Sequence, residues 1–240
     1  MKDNSFFEDV SGRIAKHCLR KYAGDMAKTS LGSWLISAKG HSTSISPDRR
    51  RVYSFDLEGR PLSWYEDGRL YKRSLASEVH GRGRSGGKRL RWRVRPDEAA
   101  TLFRNMLDRI AGAPMRELPS DTRQRLETIL RWSPDALLGE RERFEAAYRP
   151  VSILPPDQYL AIVLQATFGC SWNRCSFCSF YQDRPFRARE VDEFRRHVHA
   201  VRALLGRGER LRRGIFVADG NALLQSNRRL QPLIEVAREL

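Results

Sequence analysis

The stretch Tyr159-Leu-Ala-Ile-Val-Leu-Gln-Ala-Thr-Phe168, followed by Gly169-Cys170-Ser-Trp-Asn-Arg-Cys175-Ser-Phe-Cys178, decides the reading of this sequence. Its first part is a near-continuous apolar run, the pattern of a strand buried on both faces, as in a parallel sheet. The run is about half the roughly 20 residues that a membrane span needs. Its second part puts three thiols on one loop at C-x4-C-x2-C spacing, directly after the strand.

Outward from this stretch, residues 189–205 have helical spacing. Gly214-Ile-Phe-Val-Ala218 is a second short buried strand, and residues 228–240 are helical again. Strand, loop, helix, strand and helix in this order open a parallel α/β fold. Upstream, Pro150-Val-Ser-Ile-Leu-Pro-Pro156 is a stiff break and marks a domain boundary.

Before the break the pattern differs. Phe6, Phe7, Val10, Ile14 and Cys18 have the spacing of one helical face. Residues 51–55, 62–65, 70–71 and 90–94 alternate as about four short strands, with Asp67-Gly68 as a hairpin signal. Gly81-Arg-Gly-Arg-Ser-Gly-Gly87 reads as a flexible basic loop. Three helices follow, opened at Pro96, Ser120 and Ser133-Pro134, with apolar stripes that include Phe103, Met106 and Ile110, then Leu126 and Ile129, then Leu137 and Tyr148. The expected fold class is α/β. An N-terminal α+β domain (residues 1–150) precedes the first strand–helix units of a partial (β/α) barrel (residues 151–240).

Composition bounds the function. The chain has 240 residues, 40% hydrophobic and 10% aromatic, enough for a packed core. The first residues, Met1-Lys-Asp-Asn-Ser5, carry no apolar stretch of a secretory signal, so a cytoplasmic protein without a membrane span is expected. The net charge is +15, from 37 arginines and seven lysines against 29 acids. Residues 1–150 hold +10 of it. An Arg-rich solvated surface explains this charge, and an anionic partner such as RNA is compatible with it. Arg82, Arg84, Lys88, Arg89, Arg91 and Arg93 interleave with Trp92 and are the RNA candidates. Alternation sets Trp92 with Leu90 and Val94, on the face opposite the arginines and toward the core.

Three close thiols in a reducing compartment point to metal rather than to disulfide. Structural zinc takes four ligands, so Cys18, His197 or His199 would complete a zinc site. A [4Fe–4S] cluster with one open iron needs only the three. Colour and metal content separate the two.

The segment from Ala166 to Cys178, with Phe180-Tyr-Gln-Asp-Arg-Pro-Phe-Arg187 after it, resembles the cluster loop of the radical SAM superfamily, and in particular members labelled coproporphyrinogen-oxidase-like. The loop has one residue more than the commonest C-x3-C-x2-C spacing; longer first spacings occur in the superfamily. Phe177, just before the last cysteine, matches the pattern. Ala218-Asp219-Gly220-Asn221, at the end of the second strand, is similar to the superfamily's Gly-Gly-Glu-like motif. The resemblance covers residues 159–240.

The resemblance implies that Cys170, Cys175 and Cys178 hold three irons of a [4Fe–4S] cluster and that the fourth chelates S-adenosylmethionine. Phe177 would lie near the adenine, and Asp219, Gly220 and Asn221 at the methionyl amino group. It also implies an external one-electron reductant and a 5′-deoxyadenosyl radical acting on a substrate that the sequence does not identify. Sixty-two residues follow Cys178, fewer than such a barrel uses, so a truncated chain is expected, inactive alone or completed by a second chain.

Overall fold

A computed structural model describes residues 27–151, 154–220 and 222–240. The helix expected near Phe6 to Cys18, and Asn221, lie outside the described residues. The chain divides into two compact units, residues 1–141 and 142–240.

The first unit is built on an eight-stranded antiparallel meander in which each strand pairs with the next. The strands are β1 (Ala27–Leu31), β2 (Trp34–Ala38), β3 (Thr43–Ser46), β4 (Val52–Phe55), β5 (Pro61–Glu66), β6 (Arg69–Arg73), β7 (Val79–Ser85) and β8 (Lys88–Arg93). Its register gives the sheet two unlike faces. Ile36, Ile45, Tyr53, Trp64, Tyr71 and Val79 are buried on one face. Ser37, Ser44, Ser54 and Ser63 form adjacent rungs on the other, with Ser44 Oγ and Ser54 Oγ 3.1 Å apart. An antiparallel sheet packed on one side has this division.

Three helices follow: α1 (Pro96–Ala111), α2 (Ser120–Leu130) and α3 (Pro134–Ala147). Proline begins α1, Asp97 and Glu98 occupy its first turn and Arg109 its last, all favourable to the helix dipole. Its buried stripe Ala99, Phe103, Met106 and Ile110 joins Leu126 and Ile129 of α2 and Leu137 of α3 in one core with the sheet. Ser133 Oγ accepts the Ala136 N–H at 3.1 Å and caps α3. Arg60, 3% exposed, donates to Asp56 Oδ2 at 2.8 Å and to Glu140 Oε2 at 2.9 Å, so both buried carboxylates are paired.

The sheet is twice as large as the sequence suggests. In β2 and β3 the fully buried apolar inner positions are Ile36 and Ile45, with Trp34 partly buried against the same core, and Leu35 and the serines on the other face blur the alternation. The expected loop Gly81–Gly87 is mostly strand: β7 runs to Ser85 and turns through Gly86 and Gly87 into β8. Gly81 is a steric requirement, because a Cβ there would fall 2.2 Å from the Trp92 ring. Trp92 packs edge-on to Tyr71 at 6.1 Å and lies against the core, as the alternation predicts.

In the second unit, β9 (Ile162–Gln165) pairs in parallel with β12 (Ile215–Ala218), Ile162 opposite Ile215 and Gln165 opposite Ala218. Between them lie a two-residue antiparallel pair, β10 (Thr167–Phe168) with β11 (Arg187–Ala188), and helix α4 (Val191–Leu205). Helix α5 (Asn227–Ala237) follows β12. The contacts change hands after Arg141, inside α3, nine residues before the proline-rich break. The stripe of α3 explains this: Leu137 belongs to the first core, whereas Phe144 stacks on Tyr148 at 5.1 Å in the second unit. No described helix is long and apolar enough to cross a membrane.

Candidate functional site at the ends of the parallel strands

Strand β9 is sealed by its neighbours. Leu164, Gln165, Ala166 and Thr167 have no exposed surface. His197 of α4 sits behind it. Its Nε2 accepts the Gln165 N–H at 2.9 Å, so the ring is neutral with its proton on Nδ1, which donates to Ala147 O at 2.9 Å. Burial lowers its pKa to about 4. Both nitrogens are used, which removes His197 as a fourth metal ligand. His199 points to solvent from the same helix, so the two do not act together.

The loop from Gly169 to Phe186 leaves at β10 and returns at β11, held at its mouth by the Thr167–Ala188 and Phe168–Arg187 rungs. It carries Cys170, Cys175 and Cys178, all partly exposed thiols outside any disulfide. Asn173 Nδ2 donates to Tyr181 O at 2.9 Å and the Cys178 N–H to Cys175 O at 3.4 Å. The apolar side chains of the loop are turned outward: Trp172 is 62% exposed and Phe177 91%. Among the described residues no three His, Cys, Asp or Glu side chains stand close enough to share a metal ion. The structure therefore puts the three thiols on one loop but does not converge them, and it leaves Phe177 in solvent.

The second motif meets this loop directly. Gly220 stands so close that a Cβ there would fall 2.3 Å from Gly169 O and 3.1 Å from Cys170 Cα, at a φ of +29°. Only glycine fits such an approach. Asp219 is 3% exposed. The Asp219 N–H donates to Thr167 Oγ1 at 3.2 Å, and that hydroxyl donates to Asp219 O at 3.1 Å. Tyr181 closes the circuit from the cysteine loop: its hydroxyl donates to Asp219 Oδ1 at 2.9 Å and accepts the Gly220 N–H at 3.1 Å. Burial, with Asp219 beside it, pushes the Tyr181 hydroxyl up to about 12.

Asp219 Oδ2 is buried and accepts no hydrogen bond among the described residues. Its nearest cation, Arg184 Nη1, is 4.0 Å away. Burial raises the Asp219 pKa, and the Tyr181 hydroxyl bond opposes the rise. A buried carboxylate oxygen without a donor is expensive, and an ammonium group is the partner that would satisfy it. The residues present thus fit both implied groups in kind: three soft thiols for iron–sulfur ligation, and, next to the Gly220 that packs on Cys170, a buried carboxylate oxygen without a donor, which an amino group would satisfy. Convergence of the thiols on one cluster requires the loop to close.

Of the residues expected at the site, Asp219, Gly220 and Cys170 lie together at the carboxyl ends of β9 and β12. Asn221 lies outside the described residues. Tyr181, Thr167 and Arg184 were not expected. Tyr181 sits between exposed Phe180 and Gln182-Asp183, and no periodicity singles it out; only the aromatic-with-hydroxyl chemistry of a residue so near the thiols could have drawn attention to it. No protein-family model matches the chain, and no curated protein or solved structure matches it either.

Proposed function

We propose that the second unit binds a [4Fe–4S] cluster and S-adenosylmethionine and belongs to a radical SAM enzyme acting on a substrate yet to be found. One observation carries the reading. Asp219-Gly220 at the end of β12 packs on Gly169-Cys170 beyond β9, with a buried carboxylate oxygen lacking a donor. Ligands of parallel α/β folds sit at such strand ends, and β9 and β12 are in this reading the first strands of a partial (β/α) barrel. When bound, the cluster supplies one electron, from an external reductant, to the sulfonium of S-adenosylmethionine.

The chain's own residues do the rest. Cys170, Cys175 and Cys178 ligate iron as thiolates. Asp219 Oδ2 would accept from the methionyl ammonium, with Gly220 next to it in the chain, while the Tyr181 hydroxyl holds Asp219 in place. Phe177, exposed in this structure, would offer its ring for the adenine to pack against. An iron left open to solvent is oxygen-sensitive, so the reading also places the protein in a reducing, cytoplasmic compartment. Anaerobic reconstitution with iron and sulfide tests it: brown protein that loses its colour in C170A, C175A and C178A supports it, and a colourless protein holding zinc contradicts it.

A second reading concerns the first unit, and one observation favours it. Across β7 and β8, Arg82 stands directly opposite Arg91, and Arg84 opposite Arg89. All four are exposed, and no acidic side chain pairs with them among the described residues. Like charges placed directly opposite repel, and a polyanion relieves the repulsion. The reading is therefore an RNA phosphate backbone lying across this hairpin, without base stacking, because Trp92 is packed inward. Retention on RNA that falls steeply with salt, and falls further in R82Q/R91Q, is the expected result.

A further inference from the structure

We propose that the pocket between α4, the β10–β11 pair and the segment after α3 binds a small phosphate monoester. This site lies within the second unit and is independent of the cluster reading. Phe168 belongs to it, whereas Thr167, the preceding residue, bonds with Asp219, so alternation along β10 puts the two on opposite faces. The cavity measures about 350 Å³, within the size range of small-molecule sites and larger than a bare phosphate fills.

Its charge is arranged for an anion. Arg149, Arg187, Arg189 and Arg196 line it against Glu145 and Glu193, leaving two positive charges in excess. Glu193 is already engaged: Arg187 donates to its two oxygens, each at 2.6 Å. Arg149 and Arg196 have no carboxylate at ion-pair distance among the described residues. Arg189 is the decisive group. Its side chain is only 9% exposed, and its Nε–H has no hydrogen-bond partner. Its guanidinium lies 4.6 Å from the centre of the Phe168 ring, and that of Arg187 lies 4.8 Å from the same ring. Glu193 Oε1 stands 4.0 Å from the Arg189 Nε, beyond hydrogen-bond reach.

A buried guanidinium is normally retained with its donors matched. Here an aromatic ring lies against the guanidinium, and its buried Nε–H has no acceptor. Guanidinium forks match the paired oxygens of phosphate, and a dianion matches the excess of two charges. Burial lowers the Arg189 pKa to about 10, which leaves it charged at neutral pH. The backbone of the wall is tied by hydrogen bonds. Tyr148 is tied to Val163 O at 2.9 Å and His197 to Ala147 O, so the segment that carries Arg149 is held in place without the ligand.

Calorimetric titration of the full chain tests the proposal, with glycerol 3-phosphate, inorganic phosphate and acetate as probes at one ionic strength. The expected result is saturable one-site binding of glycerol 3-phosphate, tighter than that of inorganic phosphate and absent with acetate. R189Q and R196A are each expected to weaken it about tenfold or more, whereas R104Q, at an exposed position of α1, leaves it unchanged. R189K keeps the charge without the fork; if R189Q fails to fold, R189K and the exposed R196A carry the test. Equal affinity for free phosphate would overturn the monoester assignment. A non-saturating titration, or equal weakening in R104Q, would reduce the site to general surface charge and overturn the proposal.

Discussion

Phe103 and Phe177 are the same residue in opposite conditions, and they summarise the two units. Phe103 has no exposed surface and touches Trp64 at 5.8 Å between ring centres. Phe177, beside the last cysteine, is 91% exposed. The described part of the first unit has a continuous core: a sheet face and helix stripes pack together, and Arg60 pairs with Asp56 and Glu140. The cysteine loop is the reverse. Its backbone is tied at the mouth and to Tyr181, while Trp172, Phe177 and the thiols remain accessible. Exposed aromatic rings beside partly exposed thiols are a surface available for contact, which in the proposed reading the cofactors would cover.

The sharpest way to break the contrast is to truncate both phenylalanines. F103A is expected to lose about 3–5 kcal/mol in urea unfolding followed by tryptophan fluorescence, from transfer and cavity terms together. In the same unit R60M, which removes the buried guanidinium that Asp56 and Glu140 share, is expected to cost about 3–5 kcal/mol. If either variant unfolded like the wild type, the first unit would not be the closed core described.

A smaller effect probes the second unit through His197. Its folded pKa of about 4 lies below the unfolded value of about 6.5. Between these values the unfolded state binds the extra proton. The stability that His197 supports is therefore complete above pH 6.5 and is lost as pH falls toward 4, by about 3 kcal/mol over the full interval. H197Q is expected to be less stable at pH 7 and to lose the slope between pH 6.5 and 5, where few carboxylates titrate. An unchanged slope in H197Q would show that its ring is not neutral and buried in the native state.

Least of all, F177A is expected to change stability by under about 0.5 kcal/mol, as for other exposed positions. It should nevertheless weaken S-adenosylmethionine binding to the reconstituted protein. A large stability loss in F177A would mean that the loop is already packed, and the contrast between the units would fail.

The legible parts of the sequence were those in which one physical signal dominated. The stripe of α1, the Asp67-Gly68 turn and the buried run into β9 each follow a single periodicity or turn rule. Strands β2 and β3 were hidden because they are short and because Leu35 beside Trp34 and Ile36 in β2, and serines in β3, weaken the alternation. Strand β7 was hidden because Gly81 answers to the Trp92 ring on the next strand, a contact that no local propensity records. At the site, the thiols and Asp219-Gly220 were visible as motifs. Their meeting through Tyr181 and Thr167 was not, because it joins residues 38 and 52 positions apart. The arginine pocket was equally illegible: in a chain with 37 arginines, nothing local separates Arg189 from the rest until burial singles it out.

The central claim is that the three thiols form an iron–sulfur site with one iron open to S-adenosylmethionine. The most direct measurement is electron paramagnetic resonance on the full chain after anaerobic reconstitution and reduction, with iron and sulfide assayed on the same sample. The account predicts about four irons and four sulfides per chain and a reduced-cluster signal that changes shape when S-adenosylmethionine is added. C175A should abolish the signal. A protein that takes up zinc instead, or a cluster whose signal is indifferent to S-adenosylmethionine, would contradict it.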